Sequence, residues 1–238
     1  MNTVIFFART PEPGHGMTRL RKDVPDEKVD KILIHLYENL YDTLSNTPYR
    51  PVIHYNGKPP TKDIPAFIQE GKDLGETMAL SLKRELPQGP AILIGSDLLG
   101  IDEEYIASAF QALETSDVVL GPARDGGYGL VGMNSFVDIF SGITYSQSDV
   151  LEKTVEKAKE QGKSVTLLRT VRDIDDIRDL AAEVLNSPIS SYTEDEEGFI
   201  FLGDNREKLK VFKSDPEDKS NLLSPTTMMP FFHSISKR

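Results

Sequence analysis

Residues 91–95 read Ala-Ile-Leu-Ile-Gly, an apolar run without polar alternation, bounded by Pro90 and by Ser96-Asp97. A strand with no polar side must be covered on both faces, which is the condition of a central strand in a parallel sheet. Helices then have to supply the covering layers, and the chain contains them. Residues 26–46 carry Val29, Ile32, Leu33, Leu36, Leu40 and Leu44 at helical spacing. Residues 73–86, 103–113, 149–161 and 177–185 read as further helices, and Ile106, Phe110 and Leu113 form the inward side of the second of these. Shorter apolar segments at 4–8, 51–55, 117–121, 128–133 and 164–169 read as strands between them. This alternation predicts a three-layer α/β/α sandwich around a mostly parallel sheet.

Beyond about residue 186 the pattern stops, so the expected division is a main domain of 1–186 and a C-terminal extension of 187–238. Residues 186–198 read as a polar linker, 199–213 as a small hairpin about Gly203-Asp204-Asn205, and the remainder as a partly mobile tail. A net charge of −11 argues against nucleic acid or an anionic membrane as the main partner, since both select a basic face. The absence of cysteine excludes disulfides, thiolate metal sites and a thiol nucleophile. The sequence shows no signal peptide and no apolar run long enough to span a bilayer, so a cytoplasmic protein is expected.

Four stretches can carry chemistry. Residues 9–22 hold Arg9, Arg19, Arg21 and Lys22 against Glu12 alone, and follow the first strand directly. Loops leaving the carboxyl ends of strands are where open α/β sheets bind ligands, and guanidinium forks match phosphate oxygens. The loop is either a phosphate cradle or a solvated basic turn. It is neither a dinucleotide fingerprint, because Arg19 stands where the third glycine belongs, nor a Walker loop, because Met17-Thr18 follow Gly16. Asp97 follows the apolar strand by two residues, where a carboxylate can share Mg²⁺ with a phosphate ligand, whereas Asp102 reads as a helix cap. Asp125-Gly126-Gly127 either closes a hairpin turn or lets backbone approach a ligand. Asp173, Asp175 and Asp176 crowd the start of the last expected helix, more carboxylates than one cap uses. His15, His35, His54 and His233 show no metal-binding spacing.

Taken in order, these stretches resemble a bacterial transferase-like family with the pattern F-A-R-x-P-x-P-G-x-x-K-T-R-L, G-S-D-x-P, G-P-x-x-D-G-G-Y-x-L-x-G and D-I-D-T. The matching segments here begin at Phe7, Gly95, Gly121 and Asp173 and span about residues 1–185. Its relatives are the 2-phospho-lactate guanylyltransferases and the molybdenum-cofactor nucleotidyltransferases, on the GT-A glycosyltransferase-like fold. The resemblance implies a transferase that takes an NTP or nucleotide-diphospho-sugar and a small acceptor, with Mg²⁺ (or Mn²⁺) as cofactor. It assigns Asp97 and Asp175 to the metal, Arg9, Gly14, Arg19 and Gly75 to the nucleotide phosphates, and Asp125, Gly126 and Gly127 to the acceptor side. The chain also departs from the pattern. Met17 stands in place of Lys, Leu99 in place of Pro, Thr77 where Arg is frequent, and Gly129 where a second Tyr is frequent. Methionine cannot neutralise phosphate charge, so a binding or interaction protein on the same scaffold is the alternative.

Overall fold

The computed structural model describes residues 1–22, 24–60 and 63–173, with the strand residues 192–194, 199–202 and 211–212. The chain divides into two compact units, Met1–Pro11 with Leu36–Asp173 and Glu12–His35 with Ile174–Arg238.

The strands of the first unit are β1 (Thr3–Arg9), β2 (Arg50–Asn56), β3 (Ala66–Ile68), β4 (Ala91–Gly95), β5 (Leu98–Leu99), β6 (Val118–Pro122), β7 (Tyr128–Met133), β8 (Val165–Leu167) and β9 (Arg172–Asp173). Seven of them form one sheet in the order β3-β2-β1-β4-β7-β6-β8. Neighbours are parallel except at β7, which runs antiparallel to both β4 and β6. The mostly parallel α/β architecture expected from the sequence is therefore present. Each apolar residue of β4 is buried, Ile92 and Ile94 in one core and Ala91 and Leu93 in the other.

Helices α1 (Asp26–Asn46), α2 (Leu74–Glu85), α3 (Glu103–Leu113) and α4 (Val150–Glu160) follow the periodicity closely. The end of α1 (Tyr37, Leu40, Leu44) and α3 (Ile106, Phe110, Leu113) belong to the first core. Met78 and Leu82 of α2 and Ala158 of α4 belong to the second. Two aspartates cap as their positions suggest: Asp73 accepts from the Glu76 N–H at 2.8 Å, and Asp102 from the Tyr105 N–H at 2.7 Å. The second core also contains charge. His54 Nε2 lies 3.1 Å from Glu85 Oε1, both side chains are nearly inaccessible, and Arg50 pairs with the other Glu85 oxygen.

Described by itself, the second unit contains the loop that follows β1, the short 3₁₀ turn Leu20–Lys22 and the start of α1. It also contains a three-stranded antiparallel sheet, β10 (Tyr192–Glu194), β11 (Phe199–Leu202) and β12 (Val211–Phe212). Within 199–213, where a hairpin is expected, β11 and β12 pair antiparallel. Tyr192–Glu194, which reads as linker, is a third strand. The helix expected at 177–185 and the tail from 214 lie outside the described residues. Among the described residues no helix is long and apolar enough to cross a membrane.

Candidate functional site

In the first unit, every parallel strand ends at one edge of the sheet, and antiparallel β7 begins there. Arg9, the last residue of β1, is exposed at this edge. Asp97 is exposed two residues beyond β4. The turn 123–127 joins β6 to β7. Between the last two runs lies β9. Leu98 pairs with Asp173 and Leu99 with Arg172, while Val171 bridges Ala123 in parallel and its N–H donates to Pro122 O at 2.8 Å. The chain that starts the fourth motif is thus threaded between the Asp97 segment and the Asp125 turn. Two-residue pairings such as β5–β9 leave no periodicity in a sequence. Asp175 itself lies outside the described residues.

Within the turn, Asp125 Oδ1 accepts from the Gly127 N–H at 2.8 Å, and the Ala123 N–H donates to Gly127 O at 3.0 Å. Gly126 has φ +88°, and a Cβ there would stand 2.0 Å from Ser148 O. Its own carbonyl accepts from the Leu151 N–H at 2.9 Å. The close approach that this glycine permits is therefore to the start of α4. Gly75, buried in the first turn of α2, has a similar role: a Cβ there would come within 2.8 Å of Tyr145 Cε2. Tyr145 and Tyr128 meet through their hydroxyls at 3.5 Å, and burial pushes both phenols up, so both are protonated at neutral pH. Ser146, next in the chain, is held at φ +63°. Nothing in the sequence reading singles out Tyr145, because it lies in an irregular segment.

Two of the residues expected to bind phosphate, Gly14 and Arg19, belong to the second unit. The Gly14 N–H donates to both carboxylate oxygens of Asp30, at 3.1 and 3.2 Å. Arg21 ties the loop together. It donates to Gly16 O at 2.7 Å, His15 O at 2.8 Å, Asp30 Oδ1 at 2.6 Å and Asp26 Oδ1 at 3.1 Å. Burial acts against the Arg21 charge, but Asp30 and Asp26 outweigh it and raise its pKa, while the Arg21 hydrogen bond holds the Asp30 carboxyl below its usual range. Arg21 is thus committed to loop structure. Met17 sits in the same loop at φ +46°, a conformation that few non-glycine residues adopt. Arg21→Ala is expected to release residues 14–30, at a cost of about 2 kcal/mol for charge-assisted bonds at a partly exposed site. Amide exchange read by mass spectrometry should accelerate across the loop, whereas Lys22→Ala, at an exposed position, should leave it unchanged.

Residues 52–147 match a family described as uncharacterized protein conserved in bacteria (DUF2064). A solved structure from Desulfovibrio desulfuricans G20, provisionally described as a nucleotide-diphospho-sugar transferase, superposes with a TM-score of 0.74 at 29% identity. That match covers 80% of this chain and 89% of the other. The fold is nucleotidyltransferase-like. A cytidylyltransferase from Leptospira borgpetersenii serovar Hardjo-bovis (strain JB197) shares this fold at greater distance, with a TM-score of 0.51 and 15% identity over 77% of this chain and 84% of that one. Among curated proteins, the 2-phospho-L-lactate guanylyltransferase of Methanopyrus kandleri is 31% identical over 101 residues. The match spans 40% of this chain and half the length of that relative. On this nucleotidyltransferase-like scaffold, the motifs around Asp97, Asp125 and Asp173 adjoin one another at the sheet edge.

Proposed function

We propose that the protein is a Mg²⁺- or Mn²⁺-dependent nucleotidyl- or glycosyltransferase acting on an NTP or a nucleotide-diphospho-sugar. The backbone pairing of Leu98 with Asp173 carries this reading, because it brings the chain leading to Asp175 alongside Asp97. Among the described residues no group of three or more His, Cys, Asp or Glu side chains could hold a metal on its own. Mg²⁺ asks for less: one or two carboxylates suffice when substrate phosphates and water complete its shell. Asp97, exposed at the end of a buried strand, fits that requirement, with Asp175 as its partner. The ion would supply charge stabilisation for the phosphates. Arg9 and Arg19 would bind phosphate oxygens, and the Asp125–Gly127 turn would orient the acceptor. The loop's own geometry supports a second reading, a binding protein without turnover. Met17 offers no charge, and Arg21, the cation closest to it in the loop's hydrogen-bond network, is taken up by Asp26, Asp30 and two carbonyls.

Calorimetric titration with NTPs and nucleotide-sugars, with and without Mg²⁺, tests both readings. Metal-dependent binding is expected for the wild type. Asp97→Asn should weaken it about tenfold or more, the loss of one charge-assisted contact, without lowering stability much. Met17→Lys should strengthen it by a similar factor. Binding that ignores both the metal and Asp97→Asn would overturn the metal-site reading. Absence of binding to wild type and Met17→Lys alike would put the interaction protein first.

A further inference from the structure

The carboxyl edge of the sheet holds a cation that the motifs do not account for. Lys58 stands two residues beyond β2, and β2 flanks β1 on the side away from β4. Three neighbouring strands, in the order β2-β1-β4, therefore lead to Lys58, Arg9 and Asp97, all exposed. Two strand spacings, about 10 Å, separate the outer two strands. The main chain fixes the exits of β1 and β2 against each other. Arg9 pairs with Asn56 in register. The Thr10 N–H then donates to Asn56 O at 3.0 Å, and the Thr10 hydroxyl to Lys58 O at 2.7 Å. Gly57, at φ +100°, makes the turn between these two acceptors. Pro11 follows Thr10 and Pro59-Pro60 follow Lys58, and a residue before proline is held to extended backbone. Neither the Arg9 nor the Lys58 side chain has a hydrogen bond, ion pair or ring contact among the described residues. From 1 to 11 and from 50 to 60 the chain has no aspartate or glutamate. Other lysines are spent on carboxylates, Lys153 on Asp149 at 2.6 Å and Lys163 on Asp117 at 3.1 Å. In a chain of net charge −11, an exposed lysine kept apart from carboxylates on a stiffened loop is suited to an anionic ligand. Lysine serves phosphate as a point charge on a flexible stem, so it has to be anchored nearby and need not be aimed.

We propose that Lys58 is a phosphate-binding residue, holding the part of a nucleotide's polyphosphate that lies farther from Asp97. That the ligand is a nucleotide rests on the transferase reading above, but the polyphosphate site itself does not. The phosphates run along the sheet edge from Asp97 past Arg9 to Lys58, so Lys58 serves a triphosphate and is out of play for a monophosphate.

The test is calorimetric titration of the full chain with a base-free probe, inorganic triphosphate, and then with NTPs and the matching monophosphates in Mg²⁺. Triphosphate should bind with saturation. Lys58→Gln should weaken it about tenfold, as expected for one charge-assisted bond, and Lys58→Arg should restore it to within about threefold of wild type. Lys159→Gln, at an exposed position in the last turn of α4, should change nothing. Triphosphate that does not saturate, that ignores Lys58→Gln, or that is weakened equally by Lys159→Gln would overturn the site. With nucleotides, Lys58→Gln should weaken the NTP about tenfold and its monophosphate by less than about twofold. An equal loss for both, or a loss that changes with the base, would place Lys58 at the nucleoside and overturn the phosphate assignment. Triphosphate binding that needs Lys58, with NTP binding indifferent to Mg²⁺ and to Asp97→Asn, would remove the transferase reading and leave the polyphosphate site standing. Metal-dependent NTP binding indifferent to Lys58→Gln would remove Lys58 and leave the transferase.

Discussion

Gly126→Ala is expected to lower the melting temperature by roughly 6–12 °C, equivalent to about 3 kcal/mol in a protein of this size. Two costs add. An L-residue at φ +88° is strained by about 1–2 kcal/mol, and the new methyl would stand 2.0 Å from Ser148 O, so the turn or the start of α4 has to shift. The shift would also threaten the bond between the Leu151 N–H and Gly126 O. Gly142→Ala is the matching control, because Gly142 has a similar φ of +76° but nothing within 4 Å of a Cβ. It should lose only the strain. Equal melting temperatures for the two variants would show that the turn yields without cost.

Glu85→Ala should be as damaging for a different reason. Glu85 is 3% exposed, and its carboxylate answers both the inaccessible His54 and the partly exposed Arg50. Removing one member of a buried charged group leaves the others unanswered, at a cost of about 3 kcal/mol here, the lower end of the usual range because Arg50 can turn toward water. Glu85→Gln keeps an acceptor and should cost less than half as much. Burial lowers the proton affinity of His54, and the hydrogen bond to Glu85 opposes that shift without cancelling it. The sign for stability follows. Folded His54 takes up its proton at lower pH than the unfolded chain, which does so near about pH 6.5, so stability present above that pH is lost on acidification. Melting temperatures recorded from about pH 7.5 to 5.5 should fall, and His54→Gln should flatten that part of the profile. An unchanged slope would assign the pH dependence to other groups.

The elements that the sequence makes legible are those whose signal is local. α3 begins and ends where expected because Asp102 is a recognisable cap and Ile106, Phe110 and Leu113 keep helical spacing. β4 is legible because none of its side chains can face water. The short β3 is not, since a three-residue edge strand with two exposed residues shows no pattern. At the site, the positions of Asp97 and the 123–127 turn follow from the ends of strands that are themselves legible. The β5–β9 pairing that unites them joins residues about seventy positions apart and depends on the folded sheet. Arg21 shows the same limit. Its place among basic residues suggests a ligand contact, whereas its role is fixed by Asp26 and Asp30 one and two helical turns further on.

The antiparallel strand β7 lies between β4 and β6, so β1–β4 on one side and β6 with β8 on the other share hydrogen bonds of the large sheet only through it. During synthesis the first four strands can pair as they emerge, but β6 has no sheet partner until β7 has followed it. Completion of the sheet therefore waits for β7, which joins β4 to β6, and then for β8, which adds to the outer side of β6. In the folded protein, withdrawal of β7 would part the sheet down its middle instead of fraying an edge. Its amides should exchange only with global unfolding, and the turn 123–127 that leads into it is where a folding defect would be felt across the whole unit.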